Sequence, residues 1–452
     1  MDLFNLESGN TWVFTGGINV QGGWHQTQGA RNFIGHFEEH IRWEKRDNDH
    51  VGTRERYTIN TAQAGQNIKS INEKFDTLVS MYQPKAVAFL AGPEDYHGKF
   101  ETVSMFEEAL KIFVEKVKQI GAVVILQTPV PAKEDDLNQQ AHKCAQVMIE
   151  MAKEDHMIIL IDHYNQCVTK GKSYSKGELD TLGHLEIGYQ LMQGTIGDVT
   201  TFALDEVVET YQKGQSTLEE NPYACSIKSL IQRDKDQPLR WLFIGDSITH
   251  GALHTHGYAS FPQLFEQFLK DEYGRVGDVV INTAVSGATT KDQLENYKAR
   301  FETYKKYVDV VFIMFGTNDC VSDVSLEDFR KNLYKIVKDI KEVGAIPVLR
   351  APNPCLDAPS ERGIRLIPYV EAIKECAKEN EIILINHYDE WMQMGQVHLA
   401  MIKRGGWIAA GDESCIHPGA AGHLNMFHGA VKTLGLWNEK SQMLQLAYKL
   451  KV

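Results

Sequence analysis

At 452 residues the chain is longer than one ordinary core accommodates and reads as two domains of roughly 200 residues each. Hydrophobic residues at 43% and charged residues at 24% exclude a disordered or fibrous chain. A formal net charge of −13 argues against a nucleic-acid-binding surface and against adhesion to anionic membranes, which leaves a neutral or weakly charged small molecule as the easier partner.

The opening stretch MDLFNLESGNTW has no basic region, apolar run or small-residue cleavage site, and no apolar stretch approaches the roughly 20 residues of a spanning helix. The expectation is a cytoplasmic protein. Its seven cysteines (Cys144, Cys167, Cys225, Cys320, Cys355, Cys376 and Cys415) form no CxxC pair, as expected of free thiols in a reducing compartment.

In chain order, the first half offers the strands WVFTGG, INTAQAG, GAVVILQTPVP and IILIDHY. A polar stretch, Lys213 to Arg240, follows with no sustained strand or helix pattern and reads as a linker. The second half then gives RWLFIGD, GDVVINTA, VDVVFIMFG, GAIPVLRAP and EIILINHY. Between these lie LEDFRKNLYKIVKDIKEVG and IRLIPYVEAIKECAKEN, whose apolar residues recur three and four apart as in a half-buried helix. Apolar strands separated by helices predict an α/β fold with a parallel sheet covered on both faces.

The order of the first half repeats in the second. Gly16 pairs with Gly245, Asn60 with Asn282, Gly92 with Gly316, Gln127 with Arg350 and Asp162 with Asn386, at separations of 229, 222, 224, 223 and 224. Such a narrow band points to tandem duplication of a whole domain, with domains expected at 1–215 and 236–452.

The chemistry concentrates in the second copy. LFIGDSIT presents Ser247 at the C-terminal end of a strand, where open α/β sheets bind ligands. A lone serine there is more often a cap or turn. The next strand ends at Gly287 in NTAVSGAT, and the one after at Asn318 in MFGTND. Acyl transfer builds charge on a carbonyl oxygen, and a backbone N–H and an amide side chain are the donors it requires. His417 in CIHPGAAGH, ahead of an expected helix from Ala420 to Leu434, supplies a base for a serine proton. Taken singly, Gly287 reads as a turn, Asn318 as a cap and His417 as a surface histidine.

Together, in this order, GDSIT, SGAT, GTND and HPGAAGH resemble the motifs of the GDSL or SGNH hydrolase superfamily over residues 236 to 452. The resemblance implies two flavodoxin-like three-layer α/β/α domains and metal-free ester hydrolysis without a cofactor. It implies Ser247 as nucleophile and His417 as base, with an oxyanion hole built from the N–H groups of Ser247 and Gly287 and the amide of Asn318. The family places an aspartate three residues before the histidine, where this chain has Ser414; Asp412 and Glu413 just upstream are the expected orienting acids, and a dyad aided by a backbone carbonyl is the alternative. Asp246 and Asp319 read as structural acids that fasten backbone N–H groups. His250, His254 and His256 have no carboxylate or thiolate at metal-site spacing, so a polar rim is preferred to a metal site.

In the first copy Ile18 stands at the position of Ser247 and Pro93-Glu94 at that of Thr317-Asn318, while the position of His417 falls near Glu178. This copy is expected to be non-catalytic, retained as a scaffold, as a wall over the catalytic mouth, or as a glycan-binding cleft using Trp12, Trp24 and Trp43, with the scaffold preferred. The reading is a serine esterase acting on a small-molecule ester, with short acyl groups such as acetyl esters of carbohydrates preferred by family analogy. The alternatives are a lysophospholipase or thioesterase of the same fold, and a non-catalytic ligand-binding scaffold. Acyl chain, alcohol, oligomeric state and pathway stay open.

Overall fold

The computed structural model describes residues 10–44, 55–97, 103–197, 216–251, 254–355, 361–393 and 416–445. The chain separates into two compact units, divided between the helix Thr181–Thr195 and the short helix Cys225–Ile231, except that Arg275–Val279 groups with the first.

The first unit is built on a five-stranded sheet: β1 (Asn10–Gly16), β2 (Arg56–Asn60), β3 (Ala86–Leu90), β4 (Val123–Gln127) and β5 (Ile158–Ile161), in the order β2-β1-β3-β4-β5. All four pairings are parallel. Every residue of β2 and β3 is buried, as expected of strands covered on both faces. The helices Val103–Gln119 and Asp135–Glu154 carry apolar residues at helical spacing, and Phe106, Leu110, Phe113 and Val117 of the first are buried. At about 25 cal/mol per Å² of apolar area, each such side chain stabilises the unit by roughly 2 kcal/mol.

The second unit repeats the plan with β6 (Arg240–Gly245), β7 (Val279–Asn282), β8 (Val310–Met314), β9 (Ile346–Ala351) and β10 (Ile383–Asn386), in the order β7-β6-β8-β9-β10. The pairings of β6 with β8, β8 with β9 and β9 with β10 are parallel. Phe243 on β6 stacks flat on Phe312 of β8 at 4.3 Å, and Phe265 of the helix Phe261–Asp271 meets Phe312 edge-on at 5.4 Å, locking helix to sheet through aromatic contact. The expected helices lie at Leu326–Glu342, Glu361–Glu379 and Ala420–Thr433.

The stretch read as a linker without a sustained helix pattern contains one short helix, Cys225–Ile231, whose Ile227, Leu230 and Ile231 are buried at i, i+3 and i+4 spacing. Seven residues make barely two turns, too few for periodicity to stand out from a polar stretch. Earlier in the same stretch, Ser216 Oγ and the Thr217 N–H both donate to Glu390 Oε1 at 2.6 Å. Among the described residues no helix is long and apolar enough to cross a membrane.

Candidate active site

In each unit the strand order reverses beside the first strand, so the connections leaving β1 and β3, or β6 and β8, run to opposite faces and open a crevice at the carboxyl ends of the strands. In the second unit that crevice is where the chain places Ser247, directly after β6, and Asn318, just after β8.

The backbone at Ser247 is set by its neighbours. Asp246 is extended, and its Oδ1 accepts the N–H of Ile248 at 3.0 Å, capping the single turn Ser247–His250, which Gly251 closes in the left-handed region at φ 72°. At Gly245 an added Cβ would lie 2.7 Å from the Met314 carbonyl oxygen, so only glycine lets β6 turn this closely past β8. Gly287 has φ 85°, a conformation that side chains resist, and it turns the chain after β7 back toward the crevice.

Ser247 Oγ lies 2.9 Å from His417 Nε2, although 170 residues separate them. A hydroxyl at that distance from an imidazole nitrogen can pass its proton to it. The loop before the helix Ala420–Thr433 is tied to the sheet by Asn353, just beyond β9, whose Nδ2 donates to the Ile416 carbonyl at 2.8 Å. His254 stacks almost parallel on His417, with centroids 3.9 Å apart and planes inclined by 10°. Asn318 Nδ2 donates to the Ala288 carbonyl at 3.2 Å, which fixes the amide beside the Gly287 turn and leaves its second N–H for another acceptor.

Asp319 is the brace of this corner. Its Oδ1 accepts the N–H and the hydroxyl of Thr290 at 2.8 and 2.6 Å, and its Oδ2 accepts the Gly316 N–H at 3.1 Å. Asp246 and Asp319 therefore serve the backbone, as expected from the sequence. Burial pushes the Asp246 carboxyl up to about 7, helped by the nearby charge of Asp319, and burial likewise raises Asp319. His250 is buried, with Nδ1 2.8 Å from Ser286 Oγ, and among the described residues no group of three or more His, Cys, Asp or Glu forms a candidate metal site.

Asp412 and Glu413 lie outside the described residues. Trp12 does not fit the glycan-cleft reading: it is 1% exposed and packs on Phe37 at 5.1 Å, so it belongs to the core of the first unit. Trp24 is half-buried, and the Trp43 side chain lies outside the described set.

Asn353 and the stack of His254 on His417 were missed in the sequence. Asn353 had a readable signal: in APNP against TPVP it stands where the first half has Val130, a polar residue at a strand end as Ser247 is against Ile18. Nothing in GALHTHG distinguishes His254 from His256.

Residues 243–424 match the model of the GDSL-like lipase/acylhydrolase family. The second unit thus carries a domain of that family, an ester-bond hydrolase. A protein of Mycoplasma pneumoniae (strain ATCC 29342 / M129 / Subtype 1), described as uncharacterized, is 45% identical over 109 residues, which are 23% of this chain and 12% of that relative's length. Among solved structures, the chain is similar to Axe2, an acetylxylan esterase from Geobacillus stearothermophilus, at 21% identity over 44% of this chain and 94% of that one, with a TM-score of 0.36. It is also similar to LAE5, an α/β hydrolase enzyme from the metagenome of Lake Arreo, Spain, at 18% identity over 44% of this chain and 97% of that one, with a TM-score of 0.38.

Proposed function

We propose that the second unit hydrolyses carboxylic esters through an acyl-Ser247 intermediate, and the observation that carries this reading is the 2.9 Å approach of Ser247 Oγ to His417 Nε2 in the crevice between β6 and β8. The hydroxyl donates to Nε2 and, as Oγ attacks the ester carbonyl, its proton passes to the imidazole. The carbonyl oxygen becomes an oxyanion held by the N–H groups of Ser247 and Gly287 and by the free N–H of the Asn318 amide. Collapse of this intermediate expels the alcohol, which takes the proton from His417. Water then repeats the sequence on the acyl-serine, with His417 as base, and releases the carboxylic acid. Side chains, backbone and water supply every group these steps use.

Asp412 or Glu413 orients the His417 ring in this reading, because an imidazole gaining positive charge is stabilised by a carboxylate at its other nitrogen. Exchanging each in turn for its amide separates partner from bystander: the partner's loss lowers kcat by up to about 10⁴-fold and the bystander's does little. The shared strand order and the narrow band of sequence separations support two copies of one domain, the first without catalysis. The substrate class is a short-acyl ester, an O-acetylated carbohydrate being the first case to test.

The deciding experiment combines a serine-directed phosphonate probe with a panel of p-nitrophenyl esters from acetate to decanoate and acetylated sugars. Labelling of the protein, its loss in Ser247→Ala, and turnover that falls with acyl length are expected. Undiminished turnover in Ser247→Ala would sink the proposal.

A further inference from the structure

The first unit has three groups at the positions of the oxyanion-hole residues, and they are bonded to one another. The N–H of Ile18, just after β1, and the N–H of Gly65, after β2, both donate to Glu94 Oε1, at 2.8 and 3.1 Å. Glu94 follows β3 as Asn318 follows β8.

The surrounding backbone shows that these positions correspond. Gly65 has φ 88° and Gly287 φ 85°. The Gln63 N–H donates to the Gly16 carbonyl, and the Val285 N–H to that of Gly245. Asp95 Oδ2 accepts the Gly92 N–H at 2.9 Å, as Asp319 Oδ2 accepts that of Gly316 at 3.1 Å.

Two further features fit a carboxylate at this point. Gly17 makes room for it, since a Cβ there would lie 2.1 Å from Glu94 Oε2, whereas the second unit has Asp246 at that position. Glu94 Oε2 is itself buried and has no hydrogen-bond partner among the described residues. The carboxylate is held through one oxygen by N–H groups from two separate segments, the way a tetrahedral oxyanion is held.

We propose that the first unit retains a carboxylate-binding site derived from an oxyanion hole, with Glu94 as its built-in ligand, and that shortening Glu94 opens this site to a small free monocarboxylate such as acetate. The site is closed to an ester carbonyl by Glu94 as well as by the loss of the serine. It does not depend on whether Ser247 turns over an ester, so the two readings fail separately.

The test uses the full chain and sodium acetate, with sodium chloride at equal ionic strength as control. Glu94→Ala is expected to melt below the wild type and to regain about 2 °C or more with saturating acetate, because a ligand bound only by the folded state raises Tm. The amide resonances of Ile18 and Gly65 should shift together along the same titration. The wild type has an unchanged second unit, so a response confined to the variant reports the first. Acetate acting no better than chloride on Glu94→Ala, acting equally on both proteins, or leaving the two amides unmoved would overturn the proposal. Should Glu94→Ala fail to fold alone, it is refolded from urea in acetate against chloride: recovery of folded protein in acetate only is expected, and equal failure in both salts overturns the proposal.

Discussion

The turns after β1 and β6 begin alike and end in opposite chemistry. After β6 the chain brings a hydroxyl within 2.9 Å of an imidazole; after β1 the same turn presents Ile18, and its N–H is occupied by a carboxylate from the segment after β3, the strand next to β1 in the sheet. Backbone and brace are kept in both, down to an aspartate on the glycine N–H that follows the central strand. What differs is carried by a few side chains at strand ends. The fold and the chemistry are therefore separable, and the comparison can be broken one position at a time.

The largest effect is expected from Ser247→Ala or His417→Ala. Each should lower kcat by about 10⁴-fold or more with the fold intact, and the double variant should be little worse, because nucleophile and base act as a unit. Steady-state kinetics with circular dichroism checks this. Asn318→Glu, which puts the residue of the first unit into the second, comes next. A carboxylate there opposes the developing oxyanion and competes for the same N–H groups, so kcat should fall by about 10³-fold or more, beyond the 10² to 10³ expected for Asn318→Ala. A glutamate variant more active than the alanine variant would show that the two strand ends are not equivalent.

Asn353→Ala should be milder. Releasing the Ile416 carbonyl loosens the loop that carries His417, and about a tenfold fall in kcat with little change in KM is expected, together with a small loss of Tm. Unchanged kcat with the same loss of Tm would make Asn353 a purely structural tether.

The smallest effect concerns pH and is read in stability. Asp246 titrates near 7 when folded and near 3.8 when unfolded. Below about 4 both states hold the proton and the full contribution is present. As pH rises from 4 toward 7 the unfolded chain gives up its proton first, so stability declines, and above 7 the decline stops. The loss is at most on the order of 4 kcal/mol. Asp246→Asn, neutral throughout, should flatten this part of the curve in urea titrations at stepped pH. A curve identical to that of the wild type would mean that Asp246 is ionised in the folded protein well below 7.

Much of this was legible in the sequence because the relevant signals are local. Strands such as LFIGD and FIMFG announce themselves by unbroken apolar runs, and Ser247, Gly287 and Asn318 each follow one directly, so chain order alone brings them to one edge of a sheet. The same holds for His417 at the start of its helix. Glu94 was legible only as a replacement for Asn318. That its carboxylate turns back onto Ile18 and Gly65 depends on a side-chain direction and on the space left by Gly17, neither of which has a periodicity. The stack of His254 on His417 joins residues far apart in the chain and was invisible for the same reason. Burial overruled composition at Trp12, which offered an aromatic platform on paper and is enclosed by its own core.

The hydrogen bond from Asn353 to Ile416 bears on how such a domain tolerates change in length. Gly183 and Gly422, paired by the same alignment, are separated by 239 residues where the five preceding pairs lie 222 to 229 apart, so the second half is longer just ahead of its histidine. Growth beside a reacting group is ordinarily disruptive, since a longer loop has more ways to misplace what it carries. Here the last residue before His417 is fastened to the end of β9, so the backbone that carries the ring is placed by the sheet as well as by the residues upstream. Outside Asp412 and Glu413, that longer stretch is the place where relatives of this domain are expected to diverge first.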